Sequence, residues 1–277
     1  MQERDYLPLI DKALAEDLGE AGDVTSEPLP DLPAAATLLA KAAGVVVGLQ
    51  VFSAVFARID PGVSVRALRR DGESVRPGEI VAEVTGALKS ILKGERTALN
   101  LLSYLSGIAT ETRRFVDAAA GSLEVLDTRK TLPGYRALAK EAVLYGGGRN
   151  HRMGLYDMVL IKDNHVDSAG SVSRAMRLVR ERWGERYRVE VECRTLDEVR
   201  EAVEAGADIV MLDNMETALI REAVKLVDGR ARTEASGNMS VERVRELRGS
   251  GVDCVSVGRL THSVEALDYS LKIKART

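Results

Sequence analysis

The chain has 277 residues, 45% hydrophobic and 29% charged, with 39 Lys and Arg against 42 Asp and Glu for a net charge of -3. These ordinary globular values suit one large domain or a large and a smaller one, and the slight acidity excludes a broadly basic nucleic-acid footprint, so any cationic site must be local. Cys193 and Cys254 are the only cysteines, which argues against a disulfide framework and a thiolate zinc site and suits a reducing compartment.

The N-terminal stretch MQERDYLPLIDKALAEDLG is charged and lacks the apolar core of a signal peptide, and no run of about 18 apolar residues reads as a membrane span. A soluble cytoplasmic protein is expected. Apolar residues at helical spacing over 4–18, closed by Gly19, predict a first helix, followed by a polar loop through Pro33. ATLLAKAAGVVVGLQ and SVRALRRDGESVRPGEIVAEVTG read as short strands that turn at glycines and at Asp-Gly and Pro-Gly pairs, giving mixed helix and antiparallel sheet. GERTALNLLSYLSGIATETRRFVDAA predicts one or two helices with Leu99, Leu102, Leu105 and Ile108 on a common side.

From about residue 112 strands and helices alternate. Six candidate strands, LEVLDT, DMVLIKD, YRVEVEC, DIVMLDN, RTEASG and DCVSVG, are mostly apolar runs without clean alternation, as expected of a parallel sheet covered on both faces. Between them lie helical segments such as SVSRAMRLVRERW and TLDEVREAVEAG; Thr195 and Glu198 have capping-box spacing, and Gly206 is placed to end that helix. Six units form either an open doubly wound sheet or a barrel. An open sheet focuses its site at one switch point, whereas a barrel gathers polar residues at the C-terminal ends of many strands. Here Arg129 and Lys130, Lys162 and His165, Glu192, Asp213 and Asn214, Glu234 and Ser236, and Gly258 and Arg259 follow the six runs in turn. The pattern favours a barrel or near-barrel.

Arg129, Lys130, His151, Arg152, Lys162 and His165 together predict an electropositive pocket for a ligand with several negative charges, although each alone reads as an ordinary solvated charge. Glu192 and Asp213 follow apolar runs, where a carboxylate is costly unless paired or metal-bound. They suit Mg²⁺, ribose hydroxyls or a developing cation. Glu190 and Glu192 share a strand face, so one is open to a structural role beside a basic side chain. EASGN and VGR run into small residues whose amides can approach an anion, the usual phosphate corner of a barrel. Cys193 and Cys254 read as buried thiols and Trp183 as packing. GGG at 146–148 lacks the Walker lysine and serine, and neither GxGxxG nor HExxH occurs, so metal, if used, is oxygen-bound and brought with substrate.

The chain resembles the quinolinate phosphoribosyltransferase family essentially end to end, through EDLGEAGDVTS, GERTALNLLSYLSGIAT, LDTRKTLPGYR, KEAVLYGGGRNHRMGLYDMVLIKDNH, VEVECRT, MLDNM, EASGNMS and VGRLTHS. The resemblance implies transfer of a 5-phosphoribosyl group from phosphoribosyl pyrophosphate to quinolinate, with loss of CO2 and pyrophosphate, to form nicotinate mononucleotide for NAD biosynthesis. It implies quinolinate contacts from Arg96, Thr128, Arg129, Lys130, His151, Arg152 and Lys162, with Arg96 contributed across a dimer. Glu192 and Asp213 would face the ribose and Mg²⁺-pyrophosphate end, holding the ion directly or through water or substrate, and would share the catalytic role with Lys130. Ser236, Gly237 and Gly258 would form the 5-phosphate corner. The fold implied is an incomplete parallel α/β barrel over 112–277 with an N-terminal α/β sandwich domain over 1–111, the C-terminal DYSLKI segment returning to the first domain. A homodimer with shared active sites is implied, with further assembly to a hexamer open. Two positions depart from the family pattern: Asn238 replaces a frequent glycine, and Arg259 a frequent small residue. A monocarboxylate-specific relative would need fewer cations, and a non-catalytic anion sensor would have no use for Glu192 and Asp213.

Overall fold

The computed structural model describes residues 1–275. Tyr6, Ile10 and Leu14 recur at four-residue spacing and form the buried stripe of helix α1 (Glu3–Leu18). Gly19 ends it with its amide donating to the Ala15 carbonyl at 3.1 Å. Strand β1 (Pro33–Ala40) alternates cleanly, burying Ala34, Ala36, Leu38 and Ala40. After β2 (Gly44–Val45), helix α2 (Leu49–Ile59) starts where Asp71 Oδ1 accepts the amides of Gly48 and Leu49 at 3.0 and 3.1 Å. This satisfies donors that a helix start leaves unpaired. Strands β3 (Ser64–Ala67), β4 (Ser74–Val75) and β5 (Ile80–Ala87) lead into α3 (Leu88–Ala119), a single helix of 32 residues.

The later elements are β6 (Glu124–Leu126), α4 (Arg136–Tyr145), β7 (Val159–Ile161), α5 (Asp163–Ala169), α6 (Val172–Trp183), β8 (Val189–Cys193), α7 (Leu196–Glu204) and β9 (Ile209–Asp213). They are followed by α8 (Thr217–Val227), β10 (Arg232–Ser236), α9 (Val241–Glu246), β11 (Cys254–Ser256), α10 (Arg259–His262) and β12 (Tyr269–Ala275). Thr195 Oγ1 accepts the Glu198 amide at 3.2 Å to cap α7, while Glu198 Oε2 accepts from Arg194 N, one residue earlier than a capping box requires. Among the described residues no helix is long and apolar enough to cross a membrane.

The chain forms two compact units. The first contains Met1–Arg113, Leu132–Gly147 and the chain from Ser263; the second contains Arg114–Thr131 and Gly148–His262. The sequence reading placed all of 112–277 in the second domain apart from a returning C-terminal segment, and α4 departs from it. Leu138, Ala139, Ala142 and Val143 of α4 are buried, the Met1 ammonium pairs with Glu141, and Gly146 lies so close to Thr112 that an added Cβ would meet its Cβ at 2.5 Å. The apolar period of a helix does not say which core it joins.

In the first unit the sheet order is β12-β1-β5-β3, all antiparallel, with Leu38 opposite Leu271. It is an α/β sandwich whose last strand comes from the C-terminal segment. In the second unit six parallel strands take the order β6-β11-β10-β9-β8-β7. The first and second strands in sequence are thus the two edges, where a closed barrel would pair them. β6 meets the segment leading toward β7 through an isolated bridge between Leu126 and Arg149, not through a ladder. This is an incomplete α/β barrel, and β8 and β9 are buried along most of their length because both faces are covered.

Candidate active site

Around the C-terminal rim of the barrel the strand order fixes a sequence of chemistries. Thr128, Arg129 and Lys130 follow β6, Gly258 follows β11, Ser236 and Gly237 end β10, Asp213 ends β9, Glu192 lies near the end of β8, and Lys162 follows β7. The register places Asp213 beside Ser236 and Glu192 beside Met211, so the two acids stand on neighbouring strands with Asp213 one pleat further along. Cations flank small residues on one side and carboxylates on the other.

Lys162 Nζ donates to Glu192 Oε2 at 2.9 Å, and Glu192 keeps only 11% of its side chain exposed. His165, counted among the cations from sequence, uses Nδ1 to accept the Lys162 amide at 2.9 Å and so secures the start of α5. Asp213 Oδ2 accepts from Asn214 Nδ2 at 2.7 Å. Thr128 Oγ1 accepts the Lys130 amide at 3.1 Å, and Thr261 Oγ1 donates to the Lys130 carbonyl at 2.9 Å, which anchors the loop after β6 from two sides.

The small residues are needed where they stand. A Cβ on Gly237, whose φ is 96°, would lie 2.1 Å from Asn214 Oδ1. A Cβ on Gly258 would crowd Lys130 Cδ at 3.2 Å and His262 at 3.1 Å. Asn238 has a φ of 45°, which explains the departure noted from sequence: asparagine is among the few side chains that tolerate left-handed backbone. Arg259 is exposed at the start of α10.

Between the edge strands runs the segment carrying His151 and Arg152. Buried Asp127, just after β6, accepts the His151 amide at 2.9 Å, and Arg152 Nη1 donates to the Met158 carbonyl at 3.2 Å. Burial, together with the nearby Arg129 guanidinium, holds Arg152 below its ordinary pKa. Two guanidiniums kept close enough to oppose each other's charge are suited to a shared anion. His151 lies deeper, its Nε2 2.9 Å from Glu190 and 3.5 Å from Glu234. A cavity of about 330 Å³ reaches His151 and Glu234 from the N-terminal ends of the strands, past Arg149, Arg188 and Arg232.

Sequence reasoning thus found residues that the second unit gathers at one rim: Thr128, Arg129, Lys130, Lys162, Glu192, Asp213, Ser236, Gly237 and Gly258, with Arg152 in the gap. Arg96 belongs to the first unit, where it is exposed on α3. Asp127 and the pairing of Glu234 with His151 were missed, although an acid at the end of the apolar run LEVLD was a signal for the former. Both cysteines are buried and free, with burial pushing each thiol pKa up. Trp183 is 40% exposed and packs locally, edge-on to Tyr187 with Arg182 over its ring.

Residues 23–106 match the family description "Quinolinate phosphoribosyl transferase, N-terminal domain" and residues 108–272 the corresponding C-terminal domain. The chain is 44% identical to the carboxylating, chloroplastic nicotinate-nucleotide pyrophosphorylase of Arabidopsis thaliana, over 97% of this chain and 83% of that one. It is 43% identical to the decarboxylating, mitochondrial quinolinate phosphoribosyltransferase 2 of Nicotiana glauca, over 97% of this chain and 82% of that one. The crystal structure of NadC from Streptococcus pyogenes superposes with a TM-score of 0.97 at 39% identity, covering 100% of this chain and 99% of that chain. With both family domains matched in order along one chain, and a cationic rim, a small-residue corner and paired acids on one barrel, this chain belongs to the quinolinate phosphoribosyltransferase family.

Proposed function

We propose that the rim binds quinolinate and phosphoribosyl pyrophosphate side by side and joins them with loss of pyrophosphate and CO2, giving nicotinate mononucleotide. The observation that carries this reading is the rim order, in which Arg129, Lys130, Arg152 and Lys162 surround the gap while Ser236, Gly237 and Gly258 adjoin Asp213 and Glu192. Quinolinate brings two carboxylates, which suits the cations at the gap, and the 5-phosphate suits amides freed of side-chain bulk. The pyridine nitrogen attacks the anomeric carbon as the bond to pyrophosphate breaks. Glu192 and Asp213 stabilise the positive charge that develops on the ribose, and Lys130 offsets negative charge at the departing or 5-phosphate oxygens. The bond from ring C2 to its carboxylate then breaks, CO2 leaves, and the electron pair stays at C2 beside the now cationic nitrogen until a proton is taken up.

The donor set fits Mg²⁺: Glu192 and Asp213 offer hard oxygens on adjacent strands, too few for an all-protein cage but suited to an ion shared with substrate phosphates. When bound, the ion offsets pyrophosphate charge. Lys162 keeps Glu192 oriented toward the rim, and Asn214 does the same for Asp213. Arg96 is read as reaching the partner chain's site in a homodimer, which its exposure on α3 and the sequence resemblance support. Two free buried thiols support a cytoplasmic setting. Product analysis after incubation with quinolinate and phosphoribosyl pyrophosphate tests the reaction. Release of CO2 with nicotinate mononucleotide is expected, and turnover of nicotinate in place of quinolinate would overturn it.

A further inference from the structure

Glu190 and Glu234 are carboxylates sealed in the barrel, with 0% and 1% of their side chains exposed, and His151 between them has 8%. Both Glu190 carboxylate oxygens and Glu234 Oε1 are buried without a hydrogen bond of good geometry, and the ring nitrogen lies within ion-pair distance of the two carboxylates, at 2.9 Å and 3.5 Å. Burying two acids here is costly, and it calls for a purpose. The opposite ring nitrogen, Nδ1, accepts the Arg152 amide at 2.8 Å. An imidazole that accepts at Nδ1 carries its proton on Nε2, the nitrogen that lies beside the two carboxylates. That arrangement also sets aside a metal role for the three groups, although their ligand atoms lie within 4.8 Å of one another, because Nε2 has no lone pair to give. Burial opposes a charged ring, yet hydrogen bonds and charge from Glu190 and Glu234 outweigh it and raise His151 to about 10. That shift favours a second proton, but it would have to sit on Nδ1, where the Arg152 amide hydrogen already points, so the geometry keeps the ring neutral with its proton on Nε2.

The ring therefore ties three elements together. Glu190 lies on β8, Glu234 on β10, and His151 on the segment that stands where the barrel lacks a strand pairing between β6 and β7. Side chains and one isolated bridge hold that segment in place of a sheet ladder: the Leu126–Arg149 bridge, the Asp127 contact with the His151 amide, Arg152 Nη1 on the Met158 carbonyl and the Asp157 carboxylate on the Met153 and Gly154 amides. We propose that Glu190 and Glu234 are positioning residues which, through the His151 ring, fix the backbone at Arg152 and so aim its guanidinium at a quinolinate carboxylate, His151 itself making no substrate contact. The proposal rests on reading Arg152 as a quinolinate contact.

A double-mutant cycle on the full chain tests it, with quinolinate affinity read by calorimetry and both KM values and kcat by steady-state kinetics. His151→Leu and Glu190→Ala should each weaken quinolinate about tenfold or more while leaving the KM for phosphoribosyl pyrophosphate within about twofold. Glu190→Gln, which still accepts, should restore most of the affinity, and His151→Gln, whose amide nitrogen takes the place of Nε2 while the Nδ1 acceptor is lost, should restore part of it; both guard against variants that merely misfold. Added to Arg152→Ala, His151→Leu should cost less than about twofold more. A full additional loss in that background would mean that His151 meets substrate directly, and would overturn the proposal alone. Equal weakening of both substrates without rescue by the conservative variants would reduce the cluster to a structural one and also overturn it. Unchanged quinolinate affinity in Arg152→Ala would remove the site reading, and the proposal with it.

Discussion

At φ of 96° and 45°, Gly237 and Asn238 both occupy left-handed backbone, but the space around them differs. Gly237 faces Asn214 so closely that Gly237→Ala must displace that side chain or the turn, in addition to roughly 1 to 2 kcal/mol for a Cβ in this conformation. Asn238→Gly should change stability by less than about 1 kcal/mol, since glycine adopts the same backbone freely. Unfolding midpoints and the KM for phosphoribosyl pyrophosphate check the pair: a large rise in that KM is expected for Gly237→Ala and little change for Asn238→Gly. Asp213→Asn removes charge from the metal-donor end while leaving Arg129, Arg152 and Lys162 in place. Turnover should require Mg²⁺, the free protein should hold the ion weakly, and Asp213→Asn should weaken the Mg²⁺-dependent binding of phosphoribosyl pyrophosphate with quinolinate affinity nearly intact. Calorimetric titration of each ligand with and without Mg²⁺ reads this, and tight Mg²⁺ binding to the ligand-free protein would sink it. The rim cations were legible in the sequence because charges follow one apolar run after another, although each alone reads as an ordinary solvated charge. The Glu190, His151 and Glu234 cluster was not, because only the strand order brings those three positions together.

Six parallel strands were legible for a related reason, since strands covered on both faces read as apolar runs. Which strands form the edges was not, because pairing is a long-range choice that no local pattern records. The consequence is a segment between β6 and β7 held by side chains in place of a sheet ladder, and Asp157 is one of those holds. Its carboxylate accepts the amides of Gly154 at 2.9 Å and Met153 at 2.6 Å. Burial pushes the Asp157 pKa up, but these backbone bonds and Arg152 outweigh it and leave the group below its ordinary 3.8. A depressed carboxylate contributes stability that is present above its unfolded value and lost as pH falls through the folded one. Protection of the Met153 and Gly154 amides should therefore be constant from neutral pH down to about 4 and fall below it. In Asp157→Asn the protection should be weak at every pH. Hydrogen exchange at single-residue resolution decides between these, and equal protection in the variant would show that the turn is held by other contacts.

An acidic chain with a cationic rim concentrates its positive charge where two polyanions must meet, and it leaves the rest of the chain net acidic. That concentration is greater still if a second chain adds Arg96, which stands on α3 in the first unit at a distance in sequence from the ends of the barrel strands. Mixing two inactive proteins distinguishes a shared site from a self-contained one. In a dimer of one Arg96→Ala chain and one Lys162→Ala chain, a shared arrangement gives one site with both defects and one with neither. The intact site draws Lys162 from the first chain and Arg96 from the second. Random exchange of equal amounts makes half of all dimers mixed, so about a quarter of wild-type activity should return in a symmetric two-site dimer. If Arg96 serves the barrel of its own chain, every site in the mixture carries one defect and no activity returns. Subunit exchange has to be demonstrated in the same sample, by mass tagging one variant and recovering the other with it. Activity near zero after proven exchange would place Arg96 outside any shared site, whereas recovery toward a quarter would fix both the dimer and the direction of the contribution.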